Sequence, residues 1–167
     1  MVTTTNPYTS QDIFEFLWAV ADPEIPVVNI QEMGMLRGVN ISDNGVEVII
    51  TPSYTACPAM KFIEHQIIET LHQKGIPQVK VTTTYSPAWS TDWLSESTKQ
   101  KLKDYGIAAP VKSSCSHPFY PEKVEVECPR CQSLDTKLVS QYGSTPCKAL
   151  YKCNSCLEPF DYFKCHS

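Results

Sequence analysis

The sequence predicts an α+β fold: a small mixed sheet with packed helices, followed by a small cysteine-rich ribbon. Helical and strand periodicities alternate through residues 1–111, whereas seven of the eight cysteines fall in residues 112–167. The charge changes at the same point, because residues 1–111 hold 7 basic and 12 acidic side chains and residues 112–167 hold 7 and 6. Pro and Ser are frequent between residues 110 and 121. We therefore expect two domains, 1–110 and 111–167.

The first predicted element is a helix that begins at Thr9 or Ser10, either of which can cap it. Apolar side chains then recur at helical spacing through Ala21 and give the helix one buried face. The helix is expected to end at Asp22-Pro23, because the residue before a proline is disfavoured in the helical region.

The rest of the first domain is predicted as strand, strand, helix, strand, helix. Two strands over 33–40 and 46–51 flank a turn that tolerates positive φ, which indicates a hairpin. A second helix has Pro58 in its first turn and Gly75 at its end. A third strand follows over 79–85, and a last helix over 96–106 is capped by Ser95. The expected architecture is therefore a small sheet with helices packed on it.

Charge and hydropathy exclude several classes of protein. The chain has 18 acidic and 14 basic side chains and a net charge of −4, which argues against nonspecific binding to nucleic acid or anionic membranes. No apolar run approaches the roughly 18–20 residues that span a bilayer. The first ten residues lack the basic and apolar regions of a signal peptide, so we expect a cytoplasmic location.

Two CxxC pairs predict a metal site in the second domain. They are Cys128-Pro-Arg-Cys131 and Cys153-Asn-Ser-Cys156, with 21 residues between them. Two such turns supply four thiolates in a tetrahedron, which suits structural zinc and leaves no open coordination position. The segments around them have strand character, so we predict a zinc ribbon that is stabilised by its metal. Iron and redox disulfides are the alternatives.

Other thiols and imidazoles in this region receive no assignment. Cys115 with His117, Cys147, and Cys165 with His166 are each capable ligands. Each is equally well explained as an ordinary packed or solvent-exposed side chain.

Cys57 is the candidate reactive residue of the first domain. It follows a predicted strand and precedes a predicted helix, where unpaired N–H groups and the helix dipole stabilise a thiolate. We therefore expect the pKa of Cys57 to be lowered and its reactivity raised, with Thr55 as a hydrogen-bond donor. Asp22 and Glu24 add two carboxylates in a rigid turn. The alternative is a buried structural cysteine beside a solvated turn.

A Cys–His hydrolytic dyad is poorly supported. No histidine precedes residue 65, and His65 and His72 lie well along the predicted second helix.

Residues 10–105 resemble a family of iron–sulfur assembly factors that includes bacterial SufT and eukaryotic cytosolic targeting proteins. The resemblance rests on a helix leading into Asp22-Pro23-Glu24, a first strand that contains Gly34, and the strand–loop–helix Thr51-Pro-Ser-Tyr-Thr-Ala-Cys57-Pro58. The motif cysteine of that family, which handles iron or a cluster, maps onto Cys57. Its acidic turn maps onto Asp22 and Glu24, and its threonine maps onto Thr55.

The assembly-factor domain followed by a ribbon is similar to accessory subunits encoded with bacterial phenylacetyl-CoA epoxidase. The loop Tyr85-Ser-Pro-Ala-Trp89-Ser-Thr-Asp-Trp93 and the ribbon sequence 151–166 both fit this family. That epoxidase is a multicomponent monooxygenase with a di-iron subunit and a reductase that holds flavin and an iron–sulfur cluster. The accessory subunit is needed for phenylacetate degradation and is not counted in the catalytic core.

The resemblance implies a maturation factor rather than an enzyme. It predicts that Cys57 handles iron or an iron–sulfur cluster transiently and matures or repairs a centre of the epoxidase, with the iron–sulfur flavoprotein reductase as the main partner. Asp22 and Glu24 either orient the cysteine loop or contact iron as oxygen ligands. A homodimer that bridges a cluster through two copies of Cys57 is a further hypothesis.

Three other functions remain as alternatives. The first is a structural or regulatory binding subunit that docks through its ribbon, with Cys57 merely packed. The second is a thiol–disulfide enzyme, although neither CxxC pair precedes a helix in a βαβ pattern. The third is an oxygenase, for which the chain lacks paired Glu-x-x-His motifs on facing helices. Trp89 and Trp93 fit either a docking patch or the core, and the core is favoured because large aromatic side chains usually bury.

Overall fold

The computed structural model describes residues 7–43, 45–54, 57–111 and 125–164 of the 167-residue chain. The elements in this part are, in order, α1 (Ser10–Leu17), β1 (Leu36–Ser42), β2 (Gly45–Ile50), α2 (Met60–Gln73), β3 (Val79–Thr83), α3 (Glu96–Tyr105), β4 (Ile107–Ala108), β5 (Thr136–Ser140), β6 (Lys148–Cys153) and β7 (Pro159–Phe163). No helix among the described residues has the length and apolar character needed to cross a membrane.

Two compact units divide the chain between Trp89 and Ser90. The helix α3 and the strand β4, which the sequence analysis assigned to the first domain, lie in the second unit. β4 lies there because it pairs in parallel with β7 of the ribbon.

A three-stranded mixed sheet forms the centre of the first unit. β1 and β2 form the predicted antiparallel hairpin, and β3 returns parallel to β2 after α2. Side chains of β2 alternate, so that Val46, Val48 and Ile50 are buried. This order and this mixed sheet confirm the predicted fold class.

The two helices of the first unit pack by the predicted apolar stripes. Thr9 caps α1 in a capping box with Asp12. On α2, the buried stripe is Ile63, Ile67 and Leu71. The helix is followed by Gly75 at a φ of 85°, the left-handed conformation expected of a terminating glycine.

Helix α1 is shorter than predicted, since it ends at Leu17 rather than Ala21. The N–H of Asp22 donates to the carbonyl of Val28 at 2.9 Å, and the N–H of Ile30 donates to the carbonyl of Val20 at 3.0 Å. These bonds draw the segment after α1 into a loop that closes on itself, which removes it from the helix.

The second unit is built on a four-stranded sheet in the order β4-β7-β6-β5. The segments with predicted strand character became β5 and β6, whereas β4 and β7 were not predicted. Tyr151, Phe160 and Tyr162 share the buried face of this sheet with the sulfur-bearing residues Cys128 and Cys153. Ser95 caps α3 as predicted, and Gly106 ends it at a φ of 93°.

Candidate functional site

The acidic turn after α1 is fixed by Asp22. Its side chain is 6% exposed, and its Oδ1 atom accepts hydrogen bonds from the backbone N–H groups of Glu24 at 2.8 Å and Ile25 at 3.0 Å. These two bonds offset the cost of burying a carboxylate. Glu24 is half-buried on the same turn. The turn therefore presents two carboxylates from a rigid backbone.

The loop that carries Cys57 continues from β2. Thr51, Pro52 and Ser53 are buried, and the backbone N–H of Thr51 donates to the carbonyl of Met35 at 2.8 Å. The Thr51 hydroxyl makes no hydrogen bond to any residue in the described part of the chain. Cys57 itself is half-buried, and its N–H donates to the carbonyl of Tyr54 at 3.1 Å.

The structure brings the predicted acidic turn and the cysteine together. Burial raises the pKa of the Cys57 thiol, and the negative charges of Glu24 and Asp22 raise it further. The N–H of Ala59 and the hydroxyl of Ser53 hydrogen-bond to the sulfur and oppose this shift without reversing it. Thr55, the fourth predicted residue of this site, lies outside the described residues.

The prediction that the pKa of Cys57 is lowered is wrong. It considered only the positive end of the following helix, which begins at Met60, three residues after the cysteine. It did not consider burial or the two carboxylates that the fold places near the sulfur. The Cys57 thiol is therefore neutral at pH 7.

The sequence analysis also missed Ser53. A serine four residues before the cysteine, in a loop with other hydroxyl side chains, carries no spacing signal. Only the folded loop shows that its hydroxyl reaches the sulfur.

A second site lies at one end of the ribbon. The sulfur atoms of Cys128, Cys131, Cys153 and Cys156 all lie within 4.8 Å of one another. The Sγ atoms of Cys131 and Cys153 are 3.5 Å apart, and those of Cys128 and Cys156 are 3.8 Å apart. A metal with bonds of about 2.3 Å to four tetrahedral thiolates requires sulfur separations of about 3.8 Å. The four predicted cysteines thus fit one tetrahedral metal ion.

Backbone amides prepare these sulfurs to bind a cation. The N–H of Cys156 points at the sulfur of Cys153, with a distance of 3.4 Å between nitrogen and sulfur. This bond and others lower the pKa of Cys153 to about 6. Cys128 and Cys153 are buried, Cys156 is half-buried and Cys131 is exposed. All four positions of a tetrahedral ion are filled by these sulfurs, so the donor set leaves no position for a substrate.

The unassigned ligands stay outside both sites in the described structure. Cys147 is buried, and its sulfur lies 3.0 Å from the hydroxyl of Thr145. Cys115, His117, Cys165 and His166 lie outside the described residues.

Trp89 belongs to the core of the first unit. It is 4% exposed, and its indole N–H donates to the carbonyl of Met33 at 2.7 Å. Trp93, in the second unit, is half-buried. The preference for the core is therefore confirmed for Trp89.

Comparison with known proteins decides the family. An Escherichia coli K12 protein, described as a putative PaaD component of 1,2-phenylacetyl-CoA epoxidase, is 44% identical over 97% of this chain and 96% of its own length. The chain belongs to the PaaD family. The model of the PaaD zinc beta ribbon domain matches residues 116–164, and the model of iron–sulfur cluster assembly proteins matches residues 10–85.

Two further relatives cover the first part of the PaaD chain. An "Fe-S protein maturation auxiliary factor" of Porphyromonas gingivalis is 35% identical over 56% of this chain and 90% of its own length. The crystal structure of a domain of unknown function from Bacillus anthracis has a TM-score of 0.52 at 24% identity, and covers 56% of this chain and 90% of that one. The second likeness concerns the fold alone.

The raised pKa of Cys57 makes a prediction for alkylation of the metal-free protein. At about pH 7.5, iodoacetamide should modify Cys57 more slowly than a free cysteine peptide, because the thiolate is the reacting form. The Glu24→Gln variant removes one of the opposing charges, so its alkylation should be faster and its rate–pH curve should shift to lower pH. Rates are followed by mass spectrometry of the Cys57 peptide.

The matched control is Glu64→Gln, which removes an exposed carboxylate from α2. An equal acceleration in both variants, or Cys57 reacting as fast as the free peptide in the wild type, would contradict this electrostatic account.

The ribbon cluster makes a prediction for metal content. Cys153→Ser should lose its metal, because a closed four-thiolate site rarely tolerates a missing ligand, and the packing of Tyr151 and Phe160 behind it should loosen. Cys147→Ser removes another buried cysteine of the same unit and should keep about one equivalent. Elemental analysis and near-ultraviolet circular dichroism measure both effects. Equal metal loss in the two variants would place the ion elsewhere.

Proposed function

We propose that this chain is a non-catalytic accessory subunit of phenylacetyl-CoA epoxidase that matures or repairs a metal centre of that enzyme through Cys57. The observation that carries the proposal is a half-buried thiol beside the carboxylates of Asp22 and Glu24, in a domain that belongs with iron–sulfur assembly proteins. The PaaD relative is described as an epoxidase subunit, and the shorter relative as a maturation factor.

The chemistry around Cys57 suits temporary binding of iron. A delivery protein must release what it binds, and one thiol with two oxygen donors holds iron far less tightly than four thiolates do. Because the pKa of Cys57 is raised, incoming metal must also displace a proton, which weakens the complex. In this proposal iron or an iron–sulfur cluster is cargo, and Asp22 and Glu24 orient the loop or contact the metal.

The ribbon has a separate, structural role in this proposal. Four thiolates at tetrahedral separations favour zinc, and zinc has no redox chemistry. The ion holds together the knuckle end of a small sheet and leaves Cys57 as the thiol available for transfer. The proposed location is the cytoplasm, where cysteines stay reduced and bind metals rather than form disulfides.

The proposed client is the iron–sulfur flavoprotein reductase of the epoxidase, with the di-iron component as the second candidate. Both components hold iron, and only the reductase holds a cluster of the kind that assembly factors serve. This choice follows the family resemblance and the assembly-protein match over residues 10–85.

The test compares the iron and sulfide content of the reductase and the oxygenase purified from cells that make wild-type protein or Cys57→Ser. The reductase should lose most of its iron and sulfide in the variant, because the transfer ligand is absent. Cys147→Ser is the matched control and should leave both components loaded. Zinc content of the accessory protein verifies that each variant is folded.

Two results would redirect the proposal. Full loading of both components with folded Cys57→Ser would remove the delivery role and leave a subunit that only docks. Loss of iron from the oxygenase alone would reject the reductase as client.

A homodimer would complete a cluster site that a single thiol cannot form. Two copies of Cys57 supply two sulfurs, as a bridged cluster requires. Native mass spectrometry of protein loaded with iron and sulfide should therefore show a dimer that Cys57→Ser does not form. A strictly monomeric species with bound iron would reject the bridge.

A further inference from the structure

The two knuckles of the ribbon share an unusual backbone conformation. Directly after each CxxC pair the chain turns through a left-handed residue, Gln132 at a φ of 64° and Leu157 at a φ of 66°. Glycine adopts this conformation freely, whereas any residue with a Cβ atom is strained there. Both positions would fold more easily as glycine.

Leu157 carries a second cost that Gln132 does not. Its side chain is 66% exposed, so an apolar surface faces solvent from a strained backbone. The polar side chain of Gln132 is also exposed but is solvated without penalty. A strained residue is a starting point for a functional hypothesis when packing does not require its side chain. Burial does not account for Leu157 in the fold.

A pair of lysines next to this knuckle is also unfavourable in the isolated chain. Lys137 on β5 and Lys152 on β6 are direct cross-strand partners. Like charges opposite each other destabilise a sheet. Neither ammonium group has an acidic partner within residues 7–43, 45–54, 57–111 and 125–164. The pair leaves two positive charges side by side on the sheet.

The leucine and the lysines belong to the same end of the ribbon. The knuckle that carries Leu157 connects Lys152, at the end of β6, to Pro159, its cross-strand neighbour on β7. A hydroxyl contact of 2.7 Å between Ser133 and Ser155 joins the two knuckles. We call Leu157, Lys137 and Lys152 the knuckle surface.

We propose that the knuckle surface docks an acidic protein partner, with Leu157 as the apolar anchor and the two lysines paired to carboxylates. Binding would bury the leucine and neutralise the lysine pair, and so repay both costs. The proposal rests on the function proposed above and names the partner as the epoxidase component that receives the metal. Two lysines on a chain of net charge −4 are too few for a polyanion such as nucleic acid, or for an anionic membrane.

The test measures binding of the full-length, zinc-loaded protein to each purified epoxidase component by calorimetry. Leu157→Gly should weaken binding by about tenfold or more, as expected when an anchor is lost. Because the substitution relieves strain, its unfolding temperature should equal that of the wild type or exceed it. Gln132→Gly relieves the same strain in the other knuckle, and its affinity should stay within about twofold of the wild type.

Charge reversal tests the lysines separately. Lys137→Glu should weaken binding and reduce its dependence on salt between about 0.05 and 0.5 M NaCl. Lys101→Glu makes the same change in net charge on α3 of the same unit and should leave affinity and salt dependence unchanged.

Four results would overturn the proposal: wild-type affinity in Leu157→Gly, equal weakening in Gln132→Gly, equal effects of the two charge reversals, or no binding to any component. Binding of the wild type to phosphatidylserine vesicles in place of the protein components would also overturn it, since the partner class would be wrong.

Docking and delivery can fail independently. Cys57→Ser should bind the component with wild-type affinity and fail to restore its iron. Leu157→Gly should lose affinity while its Cys57 remains competent, so a high concentration of this variant should restore iron loading. If Leu157→Gly weakens binding but Cys57→Ser still loads the component, docking stands and delivery through Cys57 is rejected.

Discussion

The chemistry of the first unit depends on the contact between the Asp22 carboxylate and its own turn. One oxygen accepts hydrogen bonds from the N–H groups of Glu24 and Ile25, which fixes a buried carboxylate in a loop that would otherwise lack structure. From this position both acidic side chains act on the Cys57 thiol. The same hydrogen bonds that order the turn therefore set the protonation state of the cysteine.

The two kinds of cysteine site differ in what surrounds the sulfur. Amide N–H groups lower the pKa of Cys153 to about 6, whereas burial and carboxylates raise the pKa of Cys57. A ribbon sulfur is therefore prepared to lose its proton and remain on a metal, while Cys57 retains its proton until a cation arrives. This contrast supports permanent metal binding in the ribbon and temporary binding at Cys57.

Local signals predicted most of the fold, and long-range contacts account for what they missed. Periodicity and turn residues gave the order of helices and strands, and spacing gave the four ribbon cysteines. The strand β4 has two residues and exists because Ile107 pairs with Asp161, far along the chain. The sign of the Cys57 pKa shift failed for the same reason, since Asp22 and Glu24 come from a distant turn. Backbone strain at Leu157 has no sequence signal, because leucine rarely takes a left-handed conformation.

The charges that keep Cys57 protonated also make its site responsive to a cation. With no metal, the carboxylates of Asp22 and Glu24 disfavour the thiolate, and a neutral thiol is a poor nucleophile toward oxidants and alkylating agents. When a divalent iron ion enters, the same carboxylates attract it, and its charge favours release of the thiol proton. The proton must return when the metal leaves, so each exchange passes through a neutral thiol. A delivery residue under the proposed function needs this reversibility, which the closed sulfur cluster of the ribbon lacks.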